Sequence, residues 1–499
     1  MGRKLPIFYS ALLLTGVNLL LRLVGTSFQV YISGRIGAAG VGLLQLVMSV
    51  GAMAMTAGMA GIRTGAMYLT AEELGKQRPG NVRWVLSGCF TYSIACSGLV
   101  CAGLYAFAPW IAENWIGNPD TAGAIRLLAS FLPVNCLAGV MVGYFTAANR
   151  IATLAAVEVA EQLCSMATTM LMLNLWAGTD PSRACEAVVL GGGVSACLCL
   201  GTLTFLRLRE RSPAGPRLPV RNRLLKTTLP LAISDDIKAG ISTAENLMVP
   251  RRLGLYPGVA DPLAAFGTVS GMVFPVLMFP AAILYGLAEL LIPELARCAA
   301  AKSHGRIRYL VRRSLRVAML YGCVFGALMF LVARELCMAL YGSMEAGRYL
   351  KLYCILIPML YCDAITDAMT KGLGQQAACV RYNILTSAMD VAFLFVLLPK
   401  YGMMGYFVSF LVTHLLNFWL SLRRLMKISR CRFRLRVPLL TAAAAVVAIA
   451  LAYPFESIFI RCGVCLAALG SLLFLLRVLR REDILWVMGL IRKKECGPS

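Results

Sequence analysis

"IFYSALLLTGVNLLLRLVGTSFQVYI", Ile7 to Ile32, is an apolar run long enough to cross a bilayer, with a single arginine, Arg22, near its middle. A hydrocarbon core about 30 Å thick requires roughly 20 apolar residues per helical span. Runs of that kind recur down all 499 residues, of which 59% are hydrophobic and 14% charged, and the mean hydropathy is +0.74. Soluble domains carry about 45–50% apolar residues, so the chain reads as an integral membrane protein. Backbone in lipid must satisfy its own hydrogen bonds, which makes helices the expected element.

Apolar windows fall near 7–33, 38–70, 82–110, 122–149, 151–176, 183–207, 222–250, 262–298, 306–333, 349–374, 379–399, 403–425, 435–454 and 457–479, about fourteen spans. The first follows Arg3 and Lys4, is too long for a signal-peptide core, and has no small-residue cleavage site behind it. It is expected to stay attached. The net charge of +24 is not spread along a soluble face, which argues against a nucleic-acid partner. The basic residues cluster between alternate spans: Arg207 to Lys226, Lys302 to Arg313, and Arg423 to Arg436. All three clusters follow even-numbered spans, so the positive-inside rule places both termini in the cytoplasm.

Most of the 18 cysteines, such as Cys96, Cys101, Cys136, Cys164, Cys197 and Cys199, lie within spans, where a thiol behaves as a small hydrophobe. They do not form a disulfide framework. A lone "CGVC" at Cys462 to Cys465 lacks the second ligand pair of a zinc site. Only His304 and His414 are present, and no phosphate-cradling G-x-x-x-x-G-K-[ST] run occurs. An enzyme or a nucleotide-driven pump is therefore not expected, and neither is a cofactor or metal.

Two halves share one pattern. Val82 and Ile307, Gly117 and Gly342, and Pro133 and Pro358 are each separated by 225 residues, and the same offset pairs Gly42 with Gly267 and Gly61 with Gly286. Each half holds six spans, so equivalent spans run the same way, a parallel repeat about an axis along the membrane normal. The expected organisation is a lobe over 1–208, a proline-rich cytoplasmic linker over 209–223, and a second lobe over 224–430. Two further spans follow over 431–482, then a cytoplasmic tail over 483–499. The fold class is an all-α polytopic protein whose two pseudo-twofold-related six-helix lobes would support alternating access.

Charges inside spans are costly and usually mark wet interiors or partners. In "SDDIKAGISTAENLMVPRRL", Ser234 to Leu253, helical phase puts Asp235, Lys238, Ser242, Glu245 and Arg252 on one side, and Lys238 can pair with Asp235. That side is either cavity-lining or a self-neutralised stripe at a helix interface; Arg251 and Arg252 mark the outer boundary. Span 1 carries its own stripe, Thr15, Asn18, Arg22, Gln29 and Ser33, with no acidic residue in the span. A guanidinium in a cavity suits a phosphate or diphosphate, unless a carboxylate from another span pairs with it. Arg63 in span 2 is a second candidate. Asp363, Asp367 and Lys371 lie at i, i+4 and i+8 of span 10, where stacked carboxylates can share a proton or bind a cation. Glu158, Glu161, Glu289, Glu294, Asp390 and His414 read as packing or interfacial residues.

The segments "GVGLLQLVMSV" and "GMAGIRTGAMYLTAEE" between Gly40 and Glu73, and "STAENLMVPRRLG" ending at Gly254, resemble the stage V sporulation protein B family. That family is a polysaccharide-exporter branch of the multidrug/oligosaccharidyl-lipid/polysaccharide (MOP) superfamily. The resemblance covers about residues 7 to 430, and the fourteen-span count is also similar to the MurJ-type lipid II flippases. It implies a V-shaped, MATE-like two-lobed flippase of the bacterial cytoplasmic membrane. Its implied cargo is an undecaprenyl-diphosphate-linked saccharide, a peptidoglycan or polysaccharide precursor, moved from the inner to the outer leaflet. Arg22 matches the span 1 arginines that such flippases associate with the diphosphate. An acidic as well as basic span 7 departs from the MurJ pattern. The expected partners are the lipid-linked substrate, membrane lipids and envelope-synthesis enzymes. A proton or sodium ion is the expected coupling ion. The alternative is a cation-coupled multidrug exporter using Asp363, Asp367 or Glu245.

Overall fold

The computed structural model describes residues 7–178, 180–209, 220–431, 436–476 and 478; the side chains of 7–15, 18, 220–222, 226–227 and 230–231 are outside the description. The expected linker and tail thus lie largely outside the described residues. Each of the fourteen apolar windows is mostly helical over its described residues. Among these, nine helices are long and apolar enough to cross a membrane, or ten when Pro262–Met278 and Ala281–Ala300 count as one broken span. The chain is a multi-pass membrane protein.

Helix α1, Ile7–Met59, contains the first two apolar windows, joined at Gly37, whose φ of 68° suits a residue without a Cβ. The second window does not continue unbroken as expected. Ala60 and Gly61 both take positive φ (42° and 71°), and a new helix α2 runs over Ile62–Gly75. The alanines, methionines and glycines of "AMAMTAGMAG" keep the break apolar, so hydropathy alone does not reveal it. Helices α3 (Val82–Ile111), α4 (Ala122–Ala147), α5 (Ile151–Met172), α6 (Pro181–Leu208) and α7 (Val220–Leu253) follow. The expected span at 262–298 is also interrupted. It is built from α8 (Pro262–Gly267), a π-helical turn over Thr268–Val273, α9 (Phe274–Met278) and α10 (Ala281–Ala300), with Pro280, which has no N–H to donate, at the last break. Then come α11 (His304–Tyr341), α12 (Met344–Tyr353), α13 (Ile357–Gly372), α14 (Gln376–Tyr401), α15 (Met403–Ser429), α16 (Arg436–Ala452) and α17 (Ile458–Leu475).

Two compact units emerge, residues 1–282 with 380–413, and 283–379 with 414–499. In the first, Ile62, Leu69, Val85, Met141, Phe145 and Leu203 form a buried core. The closest approach there is between α1 and α8. A Cβ on Gly267 would sit 2.1 Å from the Ala38 carbonyl oxygen and 2.5 Å from the Gly42 nitrogen, so the backbones touch and only glycine fits. Gly267→Ala is therefore expected to cost about 1–3 kcal/mol by overpacking. Gly201→Ala, where nothing lies within 4 Å of the added methyl, should be neutral or gain up to about 1 kcal/mol. Thermal unfolding of the two purified variants compares them, and equal melting temperatures would remove the packing argument.

In the second unit, Cys323, Ala327 and Leu331 of α11 pack with Ala444, Ala448 and Ala452 of α16 and with Cys465 and Leu469 of α17. Small residues one turn apart let these helices approach closely, as membrane packing favours. Arg461 fixes the end of that bundle, donating to the Leu331 carbonyl at 3.2 Å and to Glu335 Oε1 at 2.9 Å. One glycine pair of the 225-residue offset adopts one local form, whereas Gly61 is left-handed and Gly286 lies inside α10. Gly117 and Gly342 both end helices in left-handed backbone (φ 82° and 62°), and each precedes a capping side chain, Asn118 and Ser343 respectively.

Candidate functional site

On α1, Arg22 is half-buried, and its carbonyl accepts from Thr26 Oγ1 at 2.9 Å. Gln29 Nε2 donates to the Gly271 carbonyl at 3.2 Å. Gly271 sits within the π-helical turn, where the wider winding leaves carbonyl oxygens available to outside donors, as at many functional sites. The polar stripe of α1 is thereby tied to the broken span. Ser33 is buried with its hydroxyl unpartnered, while the side chains of Thr15 and Asn18 lie outside the described residues.

Arg63 opens α2 just past the Ala60–Gly61 break and is exposed. Its charge acts on Glu158 and Glu161 of α5. The packing residues of α5 thus belong with a candidate cation of α2. Proximity of this kind cannot be read from helical phase on a single span.

The polar side of α7 divides by height. Asp235 and Ser242 are exposed and Lys238 is half-buried; among the described residues no ion pair joins Asp235 to Lys238. Asp236, on another face, lies near Tyr92 of α3 with its Oδ1 buried and unpartnered. Further along, Thr243 Oγ1 donates to the Ser49 carbonyl at 3.0 Å and Asn246 Nδ2 to Ser49 Oγ at 2.9 Å, fastening α7 to α1. Between them lies half-buried Glu245, whose carboxyl is near enough to that of Asp390 of α14 for the two to act on each other. Asp390 is 3% exposed. It accepts from Ser409 Oγ at 2.5 Å and Thr413 Oγ1 at 3.2 Å, both from α15, and buried Tyr406 lies beside the two carboxyls. Two carboxyl groups that act on each other disfavour double ionisation, which a proton or a bound cation relieves. The sequence shows Glu245 as a candidate. Asp390 looks like an interfacial acid because its partners lie 145 residues upstream and about 20 downstream.

In the second unit the stacked acids of α13 go to different partners. Lys371 Nζ meets Asp367 Oδ2 at 2.6 Å, an ordinary i, i+4 pair. Asn417 Nδ2 of α15 donates to Asp363 Oδ2 at 3.2 Å, and Asp363 Oδ1 and Asn417 Oδ1 are buried without partners. Asp363 is thus the acid of this stack left with unused acceptor capacity in the interior. Glu294 is engaged by Arg306 at 2.6 Å.

At the basic end of α7, Arg223 bridges the acidic end of α2, with Nη2 on Glu72 at 2.7 Å and Nη1 on Glu73 at 3.0 Å. Glu73, 2% exposed, also accepts from Asn81 at 3.0 Å. Arg223→Gln is expected to destabilise the protein by about 1–3 kcal/mol, since it strips a buried carboxylate of its charged donor. Glu72→Gln, at the exposed side of the clamp, should cost about 0–1 kcal/mol. Melting curves that rank the two the other way would contradict this account.

Residues 42–344 match the sequence profile of a family described as polysaccharide biosynthesis protein. The chain is 22% identical over 407 residues to stage V sporulation protein B of Bacillus subtilis (strain 168), covering 79% of this chain and 78% of that protein. Its fold is similar to the lipid II flippase MurJ in an inward closed conformation, at a TM-score of 0.70 and 9% identity, over 92% of this chain and 98% of that one. It is also similar to an inward-facing multidrug resistance MATE family transporter of the MOP superfamily, at a TM-score of 0.63 and 14% identity, over 83% and 99% of the two chains.

Proposed function

The chain belongs to the polysaccharide biosynthesis protein family, and from that membership and its MOP-transporter fold we propose that it is a flippase for a polyprenyl-diphosphate-linked saccharide. The cargo, a peptidoglycan or polysaccharide precursor, moves from the inner to the outer leaflet of the bacterial cytoplasmic membrane by alternating access. Both termini are cytoplasmic, as the three basic loop clusters favour. The observation that carries the reading is Arg22. A guanidinium held half-buried in the middle of an apolar span costs several kcal/mol unless it serves an anion or a fixed partner, and it holds a diphosphate by paired hydrogen bonds. Backbone contact at Gly42 and Gly267, residues the repeat makes equivalent, supports two repeats that meet on their axis.

The buried Glu245–Asp390 pair supports coupling to a proton or a sodium ion, with Asp363 a further candidate in the other unit. The same pair favours a second reading, a cation-coupled exporter of drug-like cations. Native mass spectrometry of the purified protein separates the two. The flippase reading expects a co-purified polyprenyl-diphosphate lipid whose adduct is lost in Arg22→Ala. Wild-type protein carrying only phospholipids, together with carboxylate-dependent drug efflux from a sensitive host, would establish the second reading instead.

A further inference from the structure

A cavity of about 570 Å³ opens along the C-terminal half of α7. Its walls are Met53 of α1, Trp115 beyond α3, Leu247 and Met248 of α7, and Phe395 of α14. Arg251 and Arg252 complete it. Arg251 is exposed and Arg252 half-buried, with the Arg252 guanidinium 3.3 Å from the Phe395 ring centroid. Among the described residues no carboxylate pairs with either arginine. Two adjacent like charges beside apolar walls, one of them stacked on an aromatic ring and neither neutralised, require an anion that brings its own hydrocarbon. The volume is in the range of small-ligand pockets, about 300–1,000 Å³. Arg251 also lies about 42 Å along α7 from Arg223, at about 1.5 Å per residue, so it reaches the membrane interface opposite the basic loops.

The geometry points to a second lipid-phosphate site here, on the release side, where Arg251 and Arg252 hold the diphosphate of the cargo while the first prenyl units lie against Met53, Leu247 and Met248. The assignment rests on the flippase reading for its cargo. Chemically it asks only for a prenyl diphosphate. A cargo handed from Arg22 to a second cationic site need not leave one protein phosphate ligand for bulk water in a single step.

The test uses full-length protein in nanodiscs and a benzophenone-bearing farnesyl diphosphate as probe. Photolabelling is expected on the segments around Met53 and Leu247–Met248. It should persist in Arg22→Ala and fall at least tenfold in the double variant R251Q/R252Q. The double variant R251K/R252K keeps charge without the planar fork and should give intermediate labelling; with size-exclusion profiles it guards against misfolding. Undiminished labelling in R251Q/R252Q overturns the site. So does protection by phosphatidylglycerol vesicles equal to that by unlabelled farnesyl diphosphate, which would make it a bulk-lipid groove. Wild type that translocates a fluorescent prenyl diphosphate while the cavity stays unlabelled sinks this site and leaves transport standing. Wild type that labels but does not translocate sinks transport and leaves the site.

Discussion

Arg22→Ala is expected to reduce flipping of a fluorescent polyprenyl-diphosphate saccharide in proteoliposomes to the protein-free background. The argument begins with cost. Placing an arginine mid-span is unfavourable unless it serves a function or a partner, and melting curves with size-exclusion profiles of the variant separate loss of function from loss of fold. Charge-assisted hydrogen bonds are worth about 1.5–3 kcal/mol each, and a tenfold change in equilibrium corresponds to about 1.4 kcal/mol. A guanidinium that makes two such bonds to a diphosphate therefore supplies about a hundredfold or more. Arg22→Lys keeps the charge but loses the bidentate fork, and should fall between the two. Gln29→Ala breaks the hydrogen bond to the Gly271 carbonyl without touching the charge; it should slow flipping about tenfold or less. Flipping that survives Arg22→Ala intact would remove the arginine from the transport path.

The features legible in the sequence are those set by one helix at a time. Apolar windows located most of the helical chain because the bilayer imposes length and composition on each span separately. Helical phase put Arg22 and Gln29 on one stripe for the same reason. The broken spans at Ala60–Gly61 and Phe279–Pro280 escaped because small and apolar residues keep hydropathy high whether or not the helix is continuous. Nor does phase report partners. It grouped Asp363, Asp367 and Lys371 on one face, whereas in the structure Lys371 goes to Asp367 and Asn417 of α15 to Asp363. Arg63 with Glu158 and Glu161, and Glu245 with Asp390, are pairings of tertiary origin. One signal for the latter was present: Asp390 is the single acid of span 11, and Ser409 and Thr413, four residues apart in the next span, supply hydroxyls on one face.

Glu245→Gln and Asp390→Asn should each remove the dependence of transport on an imposed proton or sodium gradient and lower its rate at least tenfold, while cargo binding persists. Both substitutions are close to isosteric. Asparagine at 390 can still accept from Ser409 and Thr413, and glutamine at 245 can still hydrogen-bond across the pair, so packing should be kept. What is lost is the exchangeable charge. A buried pair of carboxyls exists with one proton, or with a cation, held between them; its amide counterpart has no such alternation and cannot report a gradient to the helices it joins. Because the pair acts as a unit, the double variant should be scarcely worse than either single one, a non-additivity that independent sites would not show. Replacing both acids by leucine distinguishes a coupling role from a purely structural one. A structural buried polar pair is often replaced by apolar residues at little cost or with a gain in stability. Leucines at both positions that preserve fold and gradient-driven transport alike would therefore show that Glu245 and Asp390 only pack α7 against α14. The coupling reading requires the fold to survive and the gradient dependence to vanish.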